Sequence, residues 1–240
     1  MSGHSHAKKV KHQKEATAAQ RSKIFSKLGS ELYIAAKEGG GDPGTNPRLR
    51  HILDRARAVN MPTANIERSI KRGTGEEKGA ALEEVLFEGY GPGGIAVLVE
   101  GITDNKNRTL GEVKRAFEKN QGKLAGEGAV RWMFARRGTL SLPPGDKPKD
   151  ALELLSIEAG AEDMYWREDG TLEIYTKPTQ VEQVKKVLEE RGILVESASL
   201  QWVPKERVAL SEKDTASAEK LFLALDESDT VQEIYANLAT

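Results

Sequence analysis

Residues 138–204 read GTLSLPPGDKPKDALELLSIEAGAEDMYWREDGTLEIYTKPTQVEQVKKVLEERGILVESASLQWVP, and their apolar pattern alternates between strand and helix. Strands are predicted at about 139–142, 163–168, 171–176 and 194–203, and helices at about 149–159 and 180–190. The order β-α-β-β-α-β is that of the split βαβ, or ferredoxin-like, arrangement. We therefore expect residues 138–204 to form an α+β domain of their own.

A second set of strand and helix patterns lies before this stretch, in residues 80–137. A β-hairpin is predicted at about 82–90 and 94–103, around GYGPGG, and a further strand through about 130–134. Residues 109–112 (TLGE) have the spacing of a capping box, which predicts the start of a helix. The side chains expected to face inward from that helix are Leu110, Val113 and Phe117.

The C-terminal tail supplies what this second set lacks. After Pro204 the sequence predicts a helix and then a strand near residues 231–237. The helix would have Ala218, Leu221, Phe222 and Leu225 on one face. Because residues 80–137 are one helix and one strand short of a ferredoxin-like domain, we expect 80–137 plus 205–240 to form one discontinuous α+β domain, with 138–204 inserted in it.

Residues 1–79 are predicted to form a basic helical domain. Apolar residues recur at helical spacing from about 13 to 38, from Pro47 onward, and from about 62 to 72. Asn46 before Pro47 is typical of an N-cap followed by proline at the first helical position. Three short amphipathic helices bury their apolar faces best against one another, which favours a three-helix bundle. The predicted fold class is α+β, this bundle followed by two ferredoxin-like domains, one inserted in the other.

The charge of the chain is divided unevenly along its length. Residues 1–78 carry 16 Lys and Arg against 8 Asp and Glu, a net charge of +8. The other 162 residues carry 20 against 29, a net charge of −9, so the whole chain is close to neutral at −1. All four histidines also lie in the basic part. A cationic segment joined to an acidic remainder indicates a polyanionic partner such as a nucleic acid.

The basic part begins with an arm, residues 2–14 (SGHSHAKKVKHQK), that has no acidic residue and one large aliphatic side chain, Val10. So few apolar groups do not offset the entropy of ordering the segment. We therefore expect the arm to be flexible until it binds a partner, and basic arms of this kind commonly bind phosphate.

Several function classes find no support in the sequence. There is no cysteine, which leaves no thiol chemistry and fits the cytoplasm. No apolar run is long enough to span a membrane, and the N-terminus has no secretory h-region. Every histidine lies in the basic part, so no Ser/His/acid grouping is indicated. We expect no enzyme activity, no cofactor, no metal, no membrane and no small-molecule substrate.

Three motifs have competing interpretations. Residues 89–94 (GYGPGG) spell a dinucleotide fingerprint, but a strand is predicted to follow them, where that site requires a helix, so a hairpin turn is favoured. His4, His6 and His12 lack an acidic or cysteine partner nearby, which favours hydrogen bonding to phosphate over metal binding. Residues 103–108 (TDNKNR) are interpreted as a capped loop, with a contact surface as the alternative.

Several long motifs, in the same order, resemble the YebC family. They are GHS at 3–5, Lys11, His12 and Lys14 in the arm, KIFSKL at 23–28, NPRLR at 46–50, NMPTANIERSIKRG at 60–73, the GYGPGG hairpin, TDNKNRT at 103–109, GEVKRAFEKNQGKL at 111–124 and GAVRWMF at 128–134. The resemblance covers essentially the whole chain. One departure is Ala7, where similar members have Trp within the arm.

The resemblance implies a three-domain α+β protein without known catalytic activity that acts in gene expression. Some members of the family are described as DNA-binding transcriptional regulators, and others as ribosome-associated factors that help translation through proline-rich stretches. A DNA reader usually places a preformed helix in the major groove and works as a symmetric dimer. A flexible Lys/His arm suits irregular RNA better. We therefore expect ribosomal RNA and the ribosome as partners, with promoter DNA as the alternative, and a protein–protein adaptor as a third.

The expected phosphate-binding residues are the cations of the arm and of the first two helices. In the arm they are His4, Lys8, Lys9, Lys11, His12 and Lys14. Arg21, Lys23 and Lys27 would continue this cationic track, and Arg48 and Arg50 would widen it.

Overall fold

The computed structural model describes residues 18–239. In this range the chain is α+β, with seven α-helices and two four-stranded sheets, which confirms the predicted fold class. The helices are α1 (Ala18–Gly39), α2 (Pro47–Ala58), α3 (Thr63–Thr74), α4 (Lys106–Lys119), α5 (Lys149–Ala159), α6 (Val181–Glu190) and α7 (Glu212–Asp226). The strands are β1 (Glu83–Tyr90), β2 (Ala96–Thr103), β3 (Lys123–Ala125), β4 (Phe134–Leu142), β5 (Asp163–Trp166), β6 (Leu172–Thr176), β7 (Ser197–Pro204) and β8 (Val231–Ala236).

Helices α1, α2 and α3 bury their apolar faces against one another, as predicted. Their shared core includes Leu32 and Leu49, both fully buried. Asn46 is the N-cap of α2, as the sequence indicates, because its Oδ1 accepts the Leu49 N–H at 3.0 Å. The buried Asn46 amide also donates to the carbonyls of Ala35 at 2.8 Å and Gly40 at 2.9 Å. One side chain therefore joins the end of α1 to the start of α2.

The first sheet has the strand order β3-β1-β2-β8. β1 pairs antiparallel with both β2 and β3. The C-terminal strand β8 reaches this sheet from the far end of the chain, and the Ile102 N–H donates to the Thr230 carbonyl at 2.8 Å just before it. Ala218, Leu221, Phe222 and Leu225 of α7 are buried, as their spacing predicts.

The predicted start of α4 is wrong by four residues, because the capping box makes Thr109 the N-cap. The helix begins at Lys106, and its N-cap is Asn105, whose side chain accepts the Arg108 N–H at 3.1 Å. Thr109 is instead buried inside the helix, where its hydroxyl donates to Thr103 Oγ1 at 2.9 Å. Val113 and Phe117 are buried as expected, but Leu110, which is predicted to face inward with them, is 38% exposed.

The strand predicted through residues 130–134 is also wrong in its first part. Residues Arg131–Met133 form a short 3-10 turn, and β4 begins only at Phe134. Phe134 is buried, whereas Trp132 is exposed, so the apolar pattern of this segment does not come from a strand.

The second sheet has the strand order β5-β6-β4-β7, and its observed pairings are antiparallel. This is the strand order of the ferredoxin-like arrangement expected for residues 138–204. Leu140 and Ile174 of the sheet and Leu188 of α6 lie in one buried cluster. Gly138 allows the close approach of α6, because a Cβ at that position would lie 2.1 Å from Val181 Cγ2.

Polar side chains also contact one another in the part of the chain that forms the second sheet. Glu173 is 1% exposed and forms an ion pair with Arg167. The Tyr175 hydroxyl donates to Glu173 Oε2 at 3.0 Å and accepts from Arg207 Nη2 at 3.1 Å. Burial raises the pKa of Tyr175 and lowers that of Arg167. These groups are thus held by one another.

The described residues divide into two compact units. One contains residues 131–210 and 235–239, and the other contains 18–130 and 211–234. The division into three domains at 1–79, 80–137 plus 205–240, and 138–204 stays a prediction. Within residues 18–239, no helix is both long and apolar enough to cross a bilayer.

Candidate nucleic-acid interface

The arm itself lies outside the part of the chain that the structure describes. His4, Lys8, Lys9, Lys11, His12 and Lys14 are therefore not located, and their role stays a prediction. The five other predicted cations lie on α1 and α2. They are Arg21, Lys23, Lys27, Arg48 and Arg50.

Arg21 is the cation of α1 that is best placed for a ligand in solution. Its side chain is exposed one turn into the described part of the helix. Among residues 18–239 it has no ion-pair partner within 4 Å. It is the first cation of the chain after the arm, as the predicted cationic track requires.

Unlike Arg21, Lys23 and Lys27 form ion pairs within the protein, both with Asp226, the last residue of α7. Their ammonium groups lie 3.0 and 2.7 Å from the carboxylate oxygens of Asp226. The side chain of Lys27 is only 14% exposed and that of Lys23 is 26% exposed. Partial burial of Asp226 acts to raise its pKa, but the hydrogen bonds and charges of Lys27 and Lys23 outweigh burial and lower it. In this structure the two lysines hold α1 against α7.

We expect Asp226→Asn to reduce the free energy of unfolding by about 1–2 kcal/mol at pH 7, because it removes two partly buried ionic contacts. The lowered pKa means that the folded state gains from the ionised carboxylate above the unfolded pKa of about 3.9, and loses that gain as the pH falls through the folded value. The difference between wild type and variant should therefore shrink below about pH 4. Urea unfolding at pH 7, 5 and 3.5 measures it; a difference that is constant with pH would contradict the assignment.

Arg48 and Arg50 are exposed, and both have partners within the same unit. Arg48 forms ion pairs with Glu38 and Glu84. Burial acts to lower the pKa of Arg48, but hydrogen bonds and charge from Glu84 and Glu38 raise it overall. Arg50 donates to the carbonyls of Pro43 at 2.9 Å and Gly44 at 3.2 Å. Phosphate would have to compete with these contacts.

Two other arginines of the helical bundle are more exposed than Lys23, Lys27 and Arg48. Arg57 and Arg68 have side chains 70% and 66% exposed, and their nearest carboxylates lie at 3.6 and 4.0 Å. Lys71, in the last turn of α3, is exposed as well. The sequence contains all three in basic helical segments, but the helical period alone does not separate cations that pair from those that stay in solvent.

The GYGPGG motif forms a hairpin turn, which confirms the favoured interpretation. The Gly91 N–H donates to the Ile95 carbonyl at 2.8 Å, and the Gly94 N–H donates to the Gly91 carbonyl at 3.0 Å. Gly93 and Gly94 have φ angles of 68° and 80°, which glycine adopts without strain. β2 follows the turn, so there is no helix N-terminus to bind phosphate there.

Glu88 is a buried carboxylate that sequence reasoning missed. It is 3% exposed, and its two oxygens accept the N–H groups of Gly128 at 2.7 Å and Val130 at 2.8 Å. The Tyr90 hydroxyl donates to the Ala129 carbonyl between them, at 3.2 Å. Strand β1 thus holds the loop at residues 126–130 in place. The role of Glu88 in this contact is structural.

The polar cluster at residues 103–108 is only in part the capped loop that the sequence favours, because residues 104 and 105 lie between β2 and α4 whereas residues 106–108 form the first turn of α4. Asn105 supplies the cap, and Arg108 lies 2.6 Å from Asp104. An open cleft of about 470 Å³ lies beside it, lined by Arg108, Glu112, Glu227, Ser228, Asp229 and Thr230. Three carboxylates against one guanidinium make this cleft a poor site for phosphate. A contact surface at this cluster stays a prediction.

Residues 5–76 match the family model described as the TACO1/YebC protein N-terminal domain, and residues 82–238 match the model described as the TACO1/YebC second and third domain. A protein of Caldanaerobacter subterraneus named "Probable transcriptional regulatory protein" is 44% identical over 239 residues, which are 99% of this chain and 98% of that one. A protein of Thermotoga petrophila with the same name is 48% identical over 239 residues, covering 99% and 93%. The crystal structure of a conserved hypothetical protein from Aquifex aeolicus matches with a TM-score of 0.85 and 42% identity, covering 96% and 95%.

Proposed function

This chain belongs to the TACO1/YebC family, and on that premise we propose that it is a non-enzymatic, nucleic-acid-binding regulator of gene expression in the cytoplasm. Its ligand is ribosomal RNA, and it acts as a ribosome-associated translation factor that relieves stalling at proline-rich stretches. The observation that carries the proposal is the net charge of +8 on residues 1–78 beside −9 on the remainder. The basic part binds the polyanion, and the acidic part stays clear of it or contacts protein.

Among the described residues, some cations of the three helices are exposed to solvent and could contact a polyanion directly, whereas others are held by carboxylates. Arg21 continues the arm, and Arg57, Arg68 and Lys71 add exposed charge from the helical bundle. Lys23 and Lys27 would join this surface only by leaving Asp226. Asp226→Asn is then expected to strengthen RNA binding, since it releases both ammonium groups. Unchanged affinity would exclude these two lysines from the contact.

DNA is the second candidate, because the relatives named above are called probable transcriptional regulatory proteins. A DNA reader needs a helix that enters the major groove and base-reading side chains on it. Arg48 and Arg50, the cations of the first turn of α2, have protein partners, which leaves this helix a weak candidate reader. A protein–protein adaptor is the third candidate, and it would show no salt-sensitive affinity for nucleic acid.

One comparison separates these functions. Purified ribosomes and promoter fragments are titrated with the full chain in the same buffer, from 50 to 300 mM KCl. If about five phosphates are neutralised, the logarithm of the ribosome affinity should fall with the logarithm of salt with a slope of roughly −3.5 to −4.5. Tighter binding to promoter DNA with sequence preference at physiological salt would favour the transcriptional function, and no binding to either would favour the adaptor.

A further inference from the structure

A tryptophan in the 131–210 unit has most of its side chain exposed and directly follows an arginine in the chain. Trp132 is 66% exposed, although it stands between the half-buried Met133 and the exposed Arg131. The backbone around it is fixed, because the Lys205 N–H donates to the Met133 carbonyl at 2.9 Å and Phe134 is 4% exposed. The exposed ring is thus carried by a held 3-10 turn.

A second tryptophan lies beside this turn. The guanidinium carbons of Arg131 and Arg136 lie 5.1 and 5.4 Å from the centre of the Trp202 ring. Arg136 and Trp202 are direct partners in the antiparallel register of β4 and β7. Leu200, the next residue of β7 on the same face, is 45% exposed. We call Arg131, Trp132, Arg136 and Trp202 the Arg–Trp surface.

The local charge of this surface is positive although the C-terminal part of the chain is acidic. Residues 131–137 (RWMFARR) contain three arginines and no acidic residue. Arginine stacks on rings through the face of its guanidinium and binds phosphate through the N–H groups at its edge. A flat apolar ring next to such groups matches the two components of a nucleotide, the base and the phosphate.

We propose that the Arg–Trp surface binds single-stranded RNA, with one unpaired base stacked on Trp132 and the adjacent phosphates bound by Arg131 and Arg136. The inference rests on the proposed function, since RNA is the ligand, but it places a second contact outside the cationic head. Base stacking on an aromatic side chain gives affinity without sequence preference. The Arg–Trp surface would therefore bind unpaired bases by stacking, whereas the arm would bind phosphates through its positive charge.

The chemistry favours RNA over a protein partner. Tryptophan and arginine are both common in protein interfaces, but the core of such an interface is usually a continuous, largely apolar patch. Here the guanidinium groups of Arg131 and Arg136 lie over the Trp202 ring, Arg131 directly precedes the exposed Trp132, and the exposed aliphatic residue on the Trp202 face of β7 is Leu200. Positive charge around an exposed ring is what stacking proteins present to a nucleic-acid strand.

The test uses the full chain and a labelled single-stranded 12-nucleotide oligo(U), followed by fluorescence anisotropy at several salt concentrations. Trp132→Ala should weaken binding about 5- to 100-fold with an unchanged salt slope, because a stacking contact is lost and no charge is removed. Trp132→Phe should retain most of the affinity. Arg136→Ala should weaken binding and also reduce the salt slope by about 0.7.

Leu154→Ala is the matched control, because Leu154 is an uncharged, apolar side chain that is 57% exposed in the same unit and is not part of the Arg–Trp surface. It should leave affinity unchanged, and circular dichroism melting should show that all variants remain folded. If wild type binds and Trp132→Ala binds equally well, the Arg–Trp surface is refuted and the proposed function stands. If wild type binds neither ribosomes nor oligo(U), both the proposed function and the proposed role of the Arg–Trp surface are refuted. If Trp132→Ala loses ribosome binding but keeps oligo(U) affinity, the surface contacts protein and the RNA proposal is overturned.

Discussion

Deleting residues 2–14 is expected to abolish co-sedimentation with ribosomes while leaving the melting temperature unchanged. The deletion removes Lys8, Lys9, Lys11 and Lys14, and four lost phosphate contacts correspond to roughly a 10²- to 10³-fold loss of affinity at 0.1 M salt. Stability should not change, because Val10 is the one large aliphatic residue of the segment and contributes little burial. Ribosome pelleting and differential scanning calorimetry on the same preparations measure the two quantities.

A length-matched control separates charge from the mere presence of an arm. Replacing the four lysines with glutamine keeps the length and polarity and should reproduce the loss. Replacing Val10 with alanine should leave ribosome binding intact. Co-sedimentation of the deletion variant at wild-type level would show that the arm does not bind the ribosome. A fall of several degrees in melting temperature would show that residues 2–14 belong to the folded core.

Replacing Glu88 with alanine should be the most destabilising of the substitutions considered, by about 2–4 kcal/mol in the free energy of unfolding. The change leaves the N–H groups of Gly128, which is partly buried in this contact, and of Val130, which is buried, without their acceptors. With a typical urea dependence, this corresponds to a midpoint lowered by roughly 1–2 M. Chemical unfolding followed by circular dichroism measures it.

Two further variants make this result specific. Glu83→Ala, an exposed glutamate on the same strand, should change stability by about 0.5 kcal/mol or less. Glu88→Gln retains one carbonyl acceptor and should fall between Glu83→Ala and Glu88→Ala. If Glu88→Ala unfolded at the wild-type urea concentration, the hydrogen bonds to residues 128 and 130 would not be holding the loop.

Local sequence patterns predicted the elements whose partners lie near in the chain. The Asn46 cap is predictable because its one donor partner, Leu49, and its two acceptor partners, Ala35 and Gly40, all lie within eleven residues of it. The start of α4 was wrong because two capping candidates compete, and Asn105 wins while Thr109 is buried against Thr103. At Arg131–Met133 the aromatic and apolar residues have the composition of a strand, so the sequence predicts a strand where the structure has a 3-10 turn.

The electrostatic pairing of the candidate site could not be predicted, because it depends on tertiary contacts. Lys23 and Lys27 find Asp226 some 200 residues later, at separations of 203 and 199. Glu88 finds backbone N–H groups 40 and 42 residues away, and a main-chain donor leaves no mark in the sequence. The sequence shows that residue 132 is a tryptophan, but it does not show whether the side chain is buried in a core or exposed, because tryptophan occurs in both places. Net charge therefore indicates the part of the chain that we propose to bind a polyanion, while the structure shows which of its cations have carboxylate partners.

The most direct test of the account is the salt dependence of ribosome affinity for wild type and for the variant with Lys8, Lys9, Lys11 and Lys14 replaced by glutamate. The account predicts that wild type has a slope of roughly −3.5 to −4.5 and that the variant loses about three units of it, together with most of its affinity at 0.1 M salt. Equal affinities and equal slopes for the two proteins would contradict the claim that the positively charged front segment binds the polyanion.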